Sequence, residues 1–436
     1  MTEKSRDSAG MPTTATIRQL VGDGDRSGAA TAVARMIEAG TGRTVGSVTL
    51  TLDEYSLNSV SGRVRFTDGQ VEFFKFHHEE GEERNVTEYY RAQLLADAGL
   101  PVELPRSVVT EPLRQMVLYK MRNEPRMADV CAALERRSGS SARLPDELAL
   151  ARRNLDSTIG SVIVATAGPG TGSSATAAVH QLFHHRLTDH GRFPGGRYRR
   201  WYVDRTSDLG DLGDLSDCRV RVNGVTYDST LRQLAERAAA TLAPDALAAG
   251  PVVTAHGDDH QGNIWVLGRA ARTRLVLFDP AFASDDVPAL LAPVKATFHN
   301  VFAHPFWLYH PAEAAERVSV RTRRGNGAED PDADAVLEVD DDARLSILRH
   351  EILDSVAEHV WAPLLASLAA RDLLPDNWRA IVRSALFCCP LLVTDLLAPE
   401  RPRPVRLLGV ARAIMAGSEP LDGTDDLTGM LDAVTP

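Results

Sequence analysis

Between residues 46 and 121, apolar and polar positions alternate in short runs; beyond them, apolar positions recur mostly at helical spacing. Val48, Leu50 and Leu52 mark one strand face. Val64-Arg65-Phe66 and the run Val71–Phe76 flank Asp68-Gly69, a strong hairpin signal. Val108-Val109 and Met116–Tyr119 add two more strands. Helices are predicted over 28–39, ended by Gly40, and over 83–97, stopped by Gly99 and Pro101. Longer helical patterns cover 147–167, 229–247, 345–370 and 378–397. Asn223-Gly224 predicts a hairpin over 220–227. Residues 317–342 alternate at both ends around a polar tip and predict an inserted hairpin. The chain therefore reads as α+β. Residues 1–45 form an N-terminal tail and helix, 46–121 a small β-rich lobe, 122–416 a large mainly helical lobe, and 417–436 an acidic tail.

Two places break these patterns. Lys75 sits inside the aromatic strand Val71-Glu72-Phe73-Phe74-Lys75-Phe76, although buried lysines are rare unless paired. The bland alternative is an edge-strand lysine on the solvent face. The second place is a polar block, His256-Gly257-Asp258-Asp259-His260-Gln261-Gly262-Asn263, held between the apolar runs 252–255 and 264–266. Another apolar run, Leu275–Phe278, ends on Asp279. Asp258, Asn263 and Asp279 are hard oxygen donors of the kind Mg²⁺ prefers, with one acid to spare as a base. A polar turn without chemistry is the alternative.

The spacing His256-x-Asp258 with Asn263 five residues after the acid has the form of a kinase catalytic loop. The whole block, with Asp279 sixteen residues beyond Asn263, resembles the aminoglycoside phosphotransferase / choline kinase family. That resemblance covers roughly residues 46–300 and implies a two-lobed protein-kinase-like fold with a nucleotide in its cleft. It implies Asp258 as the catalytic residue facing the acceptor hydroxyl, and Asn263 and Asp279 as the Mg²⁺ ligands. Lys75 becomes the phosphate-binding lysine, oriented by a helix glutamate, with Glu88 first choice and Glu83 second. Asn58 and Ser59 lie in the loop that covers the phosphates, where small polar residues replace the glycine-rich set of protein kinases. His256 is expected to support the loop backbone. Asp259 departs from the family pattern and leaves open which of two adjacent acids is the base; the spacing favours Asp258.

Composition narrows the partners. The chain has 436 residues, 44% hydrophobic and 25% charged, as in ordinary globular proteins. A net charge of −11 argues against a general nucleic-acid binder, which needs a basic surface. No run has the length of a membrane span, and no apolar leader follows Met1. Cys131, Cys218, Cys388 and Cys389 show no metal spacing, and the adjacent pair reads as core. A cytoplasmic setting is expected. The expected reaction moves the γ-phosphate of ATP to a hydroxyl of a small molecule: an antibiotic, sugar, amino alcohol or natural-product intermediate. GTP stays open as donor, because a hinge near 120–122 would read the base through its backbone. Two other readings stand beside it, a kinase for Ser/Thr of a peptide and a non-catalytic pseudokinase. The Arg/aromatic stretch 192–202 and the His/aromatic stretch 298–310 are candidate acceptor or partner surfaces, or plain packing.

Overall fold

The computed structural model describes residues 10–51, 59–77, 88–111, 113–205, 215–303, 305–325 and 336–436. They divide into two compact units. One draws on Met1–Asp97, Val102–Glu124 and Phe278–Ala281; the other on Ala98–Pro101, Pro125–Leu277 and Phe282–Pro436. The class is α+β, with a small β-rich unit and a larger, mainly helical one, as the sequence predicts.

The smaller unit is built on five strands: β1 (Val45–Thr51), β2 (Ser59–Phe66), β3 (Val71–His77), β4 (Ser107–Val109) and β5 (Met116–Lys120). They form one antiparallel sheet in the order β1-β2-β3-β5-β4. The turn at Asp68-Gly69 closes as expected, with Gly69 at φ 87°. Two helices cover one face: α1 (Thr14–Gly22), capped by the Thr13 hydroxyl, and α2 (Arg26–Thr41), capped by Asp25. Ile17, Val33, Met36 and Ile37 pack with Phe66, Phe74, Phe76 and Leu118 into a continuous core. Each such side chain stabilises the unit by about 1.5–3 kcal/mol of transfer free energy. The stretch 1–45 thus carries two helices, where a tail and one helix were expected. Gly40 does not end α2. A Cβ there would meet the Val109 side chain, so Gly40 serves close packing, while the left-handed Gly42 (φ 69°) ends the helix. A third helix, α3 (Glu88–Asp97), follows β3.

In the larger unit, the helix Asp146–Thr166 is central. It buries Leu155, Ile159 and Ile163, and also the ion pair Arg152–Asp156, whose carboxylate accepts from Ser355 Oγ at 2.6 Å. Its Gly160 lets it lie against the π-helical turn Ala357–Trp361; a Cβ would strike the His359 carbonyl oxygen. The two predicted hairpins do not stand alone. Val320–Gly325 pairs with Val336–Asp341, which runs parallel to Arg219–Val222, and Val225–Tyr227 completes a four-stranded sheet. Cys388 and Cys389 are buried in the helix Trp378–Val393, as core residues. The Arg/aromatic stretch folds onto that helix: Arg197 and Tyr202 donate to the carbonyls of Leu392 and Leu391, each at 2.9 Å. Residues 417–436, expected as an acidic tail, carry the helix Asp426–Ala433 with Leu427 and Leu431 buried. No helix among the described residues is long and apolar enough to cross a membrane.

Gly160→Ala is expected to lower unfolding free energy by about 1–3 kcal/mol, because backbone meets the new methyl and cannot rotate away. Urea unfolding followed by circular dichroism measures it; an unchanged midpoint would show that the two elements separate without cost.

Candidate active site

The strand Pro251–Ala255 leads into the 256–263 block, and Ile264–Leu267 leads out of it to pair with Arg274–Leu277. The block is a tight turn whose side chains close on its own backbone. His256 Nδ1 accepts from the Asp258 N–H at 3.3 Å, which is the supporting role expected of it. His260 Nδ1 accepts from the Gly262 N–H at 3.0 Å. Asn263 Nδ2 donates to the Asp258 carbonyl at 2.8 Å, so its Oδ1 is the atom it can offer a cation. Gly257 takes φ 77°, and a Cβ on it would press into the Phe282 carbonyl oxygen at 2.8 Å. That position therefore requires glycine twice over.

The loop is anchored from behind by charge. Gln261 N–H donates to Asn300 Oδ1 at 2.7 Å, and Gln261 Oε1 accepts from Arg349 at 3.1 Å. Arg349 also donates to the Asn300 carbonyl and reaches both oxygens of Glu135, at 2.9 and 2.7 Å. All four side chains are buried. Burial alone would lower the Arg349 pKa; the Glu135 carboxylate reverses the sign and holds it above its ordinary value.

The adjacent acids sit in different surroundings. Asp259 is 6% exposed and lines an apolar recess with Leu100, Ile159, Ile163 and Val360. Burial pushes its pKa up, against the pull of His256 and Arg152. The Asp258 side chain keeps 15% of its surface and faces two nitrogens, Lys295 Nζ at 3.9 Å and His260 Nε2 at 3.8 Å. Burial favours the neutral form of Asp259, whereas Asp258 keeps some access and has nitrogens beside it. The sequence left this choice to spacing; the structure shows that the two acids differ in burial and in neighbours.

The smaller unit holds the other candidates. Lys75 lies on β3, the centre of the sheet, and is 7% exposed, so it is neither on an edge nor on a solvent face. Its ammonium pairs with the Asp279 carboxylate. Asp279 is at φ 62°, a left-handed conformation that Asp tolerates better than most residues. Arg91 of α3 donates to the Ala281 carbonyl and ties the same short segment to the helix. At the end of β5, Arg122 donates to Glu103 at 2.7 Å. Glu88 opens α3, but the ion pair expected of it lies outside the described side chains. Ser59 begins β2; Asn58 and Glu83 lie outside the described residues.

The Asn263 amide oxygen and the Asp279 carboxylate are the hard oxygen donors that Mg²⁺ takes, so the donor chemistry fits that ion. Sequence reading missed Lys295, Glu135 and Arg349, and placed His299 only within the 298–310 stretch. The i,i+4 spacing of Lys295 and His299 was a usable signal; nothing in the sequence marked Glu135 and Arg349, which lie 214 residues apart.

No family model matches the chain, and no curated protein matches it. Among solved structures, the chain is similar to a spectinomycin phosphotransferase determined with ADP and spectinomycin. The two are 12% identical, with 88% of this chain and 98% of that one covered and a TM-score of 0.36. A macrolide 2'-phosphotransferase of type I is 14% identical over 86% of this chain and 97% of its own, with a TM-score of 0.33. An aminoglycoside phosphotransferase from Streptomyces rimosus is 12% identical over 65% and 90%, with a TM-score of 0.34. Likenesses this weak assign neither site nor substrate.

Arg349→Met should destabilise the protein by about 3–5 kcal/mol, because Glu135 is left buried and charged. Glu135→Leu combined with Arg349→Met should lose far less than the sum of the single changes. A double-mutant cycle in urea measures this; additive losses would mean the pair is not coupled. Asp259 makes a separate prediction. Its folded pKa lies above the ordinary 3.8, so the folded state holds the proton more tightly than the unfolded chain. Stability from this group is present below 3.8 and is lost as pH rises through the folded value. Asp259→Asn should therefore gain on the wild type over the window that opens as pH rises above the ordinary 3.8, as read by thermal melts. A gain that shrinks over that window would overturn the assignment.

Proposed function

We propose that the chain is an ATP- and Mg²⁺-dependent phosphotransferase that moves the γ-phosphoryl group to a hydroxyl of a small molecule. One observation carries the reading. Asp258 stands accessible in a braced turn, with Asn263 fixed on its carbonyl at 2.8 Å, in the spacing that phosphoryl transfer uses.

The acceptor oxygen forms a bond to the γ-phosphorus, the bond to the bridging oxygen of ADP breaks, and the hydroxyl proton passes to Asp258. Asn263 and Asp279 would hold the metal. Bound there, Mg²⁺ supplies neutralisation of charge on the phosphate oxygens. Lys75 serves the same charge from β3. Its amino group pairs with Asp279; phosphate oxygens would take over that group and leave the carboxylate for the cation. Most of the rate comes from positioning and fixed charge, which is why the loop is rigidly held. The acceptor stays a class, a hydroxyl compound; the twin readings of a peptide acceptor and of a non-catalytic scaffold become outcomes of the same experiment.

Purified protein with MgATP and a panel of hydroxyl acceptors should give a product heavier by one phosphoryl group. Asp258→Asn and Asp279→Asn should each cut turnover by about a thousandfold, while Asp258→Asn keeps its nucleotide affinity and Lys75→Met loses it. Phosphate appearing on peptides alone would select the peptide kinase. Wild-type and Asp258→Asn proteins with equal ATP consumption would sink the proposal.

A further inference from the structure

The proposed reaction leaves the buried side chain of Lys295 unused. Lys295 lies on the short helix Val294–Thr297, is 3% exposed, and stands 3.9 Å from Asp258 Oδ1. That oxygen is buried and has no hydrogen-bond partner among the described residues. The ammonium is held on its other side. Lys295 Nζ meets His299 Nε2 at 2.9 Å, and His299 Nδ1 meets the Tyr309 hydroxyl at 2.6 Å. An ammonium can only donate; with Lys295 protonated, Nε2 accepts and the imidazole proton sits on Nδ1, facing Tyr309. Burial, then the neighbouring Lys295, drives the His299 pKa well below the ordinary value and keeps the ring neutral. The π-helical turn Phe298–Phe302 carries His299 in this chain.

Burial lowers the Lys295 pKa; among the charges acting on it, Asp258 opposes that shift and Arg186 and Arg197 add to it. Burial pushes the Cys389 thiol up to about 12, so it is neutral at ordinary pH. The Asp258 carboxylate stands 3.9 Å from the Lys295 amino group. A lysine held in the core by a neutral imidazole alone is costly, and an apolar side chain of the same length would fill the space at lower cost. Its place beside Asp258 gives it a reason to be there.

The geometry points to Lys295 as a positioning residue for phosphoryl transfer: anchored by His299 and Tyr309, it fixes the Asp258 carboxylate through Oδ1 and leaves Oδ2, on the His260 side, to take the acceptor proton. The inference rests on the phosphotransfer reading. It adds to it a residue 37 positions beyond the catalytic loop's acid, on a different element. It also separates two roles among the nitrogens near Asp258. Lys295 orients the carboxylate from the protein interior, whereas His260 is more exposed and borders the oxygen that reacts.

The test is MgATP turnover with water as acceptor, measured as ADP release, in wild type, Asp258→Asn, Lys295→Met and Lys295→Arg. Lys295→Met should lose about 10- to 100-fold in kcat, with KM for MgATP within about twofold and a melting temperature no lower than wild type. Lys295→Arg keeps a cation at the site and should recover most of the loss. Wild-type kcat in Lys295→Met, with Asp258→Asn inactive, overturns this inference and leaves the phosphotransfer reading standing. Equal losses in Lys295→Met and Lys295→Arg, with KM raised or melting lowered, overturn it in favour of a packing role. No ATP turnover by the wild type that depends on Asp258 overturns the phosphotransfer reading and this inference together.

Discussion

The buried guanidinium of Arg349 is the group on which the geometry of the 256–263 turn depends. A tight polar turn inside a helical unit exposes backbone N–H and C=O groups that water does not reach, and each must find a partner. Arg349 answers part of that demand by gathering Gln261 and the Asn300 carbonyl around one charge, with Glu135 as its counterion. Such a pair adds little net stability over an apolar replacement, because desolvation offsets the attraction. What it supplies is a fixed arrangement: shifting the turn breaks several charge-assisted bonds at once. The same device recurs at Arg152–Asp156 and at Arg412–Asp341, where buried charges fasten helices or sheet to the same unit.

A fixed turn makes neighbouring residues behave differently. Asp258 and Asp259 are chemically identical and adjacent, yet one meets an apolar recess and the other meets Lys295 and His260. Burial favours the neutral form of Asp259, and it works the same way on the imidazoles of His180, His184 and His299, whose pKa values all fall. In the smaller unit the opposite strategy operates. Lys75 is buried beside the carboxylate of Asp279, so there an acid and a base are matched to each other.

Much of this was legible in advance, and the reason is local. The hairpin at Asp68-Gly69, the strands around Lys75 and the long helices depend on turn chemistry and periodicity within a few residues. The 256–263 turn is also local: His256, His260 and Asn263 bond to backbone no more than five residues away. Gly40 misled because a glycine's meaning depends on what packs against it, here Val109, which is 69 residues distant.

The sequence by itself determined most of the elements and the tight 256–263 turn, and it named the residues proposed for phosphoryl transfer, because those features follow from spacing along the chain. Tertiary structure decided the rest. It joined two hairpins, more than ninety residues apart, into one sheet. It placed Lys295 beside Asp258 and Arg349 behind Gln261. It also separated two adjacent acids by burial. Those outcomes turn on desolvation and charge between distant segments, and no local pattern encodes which distant segment arrives.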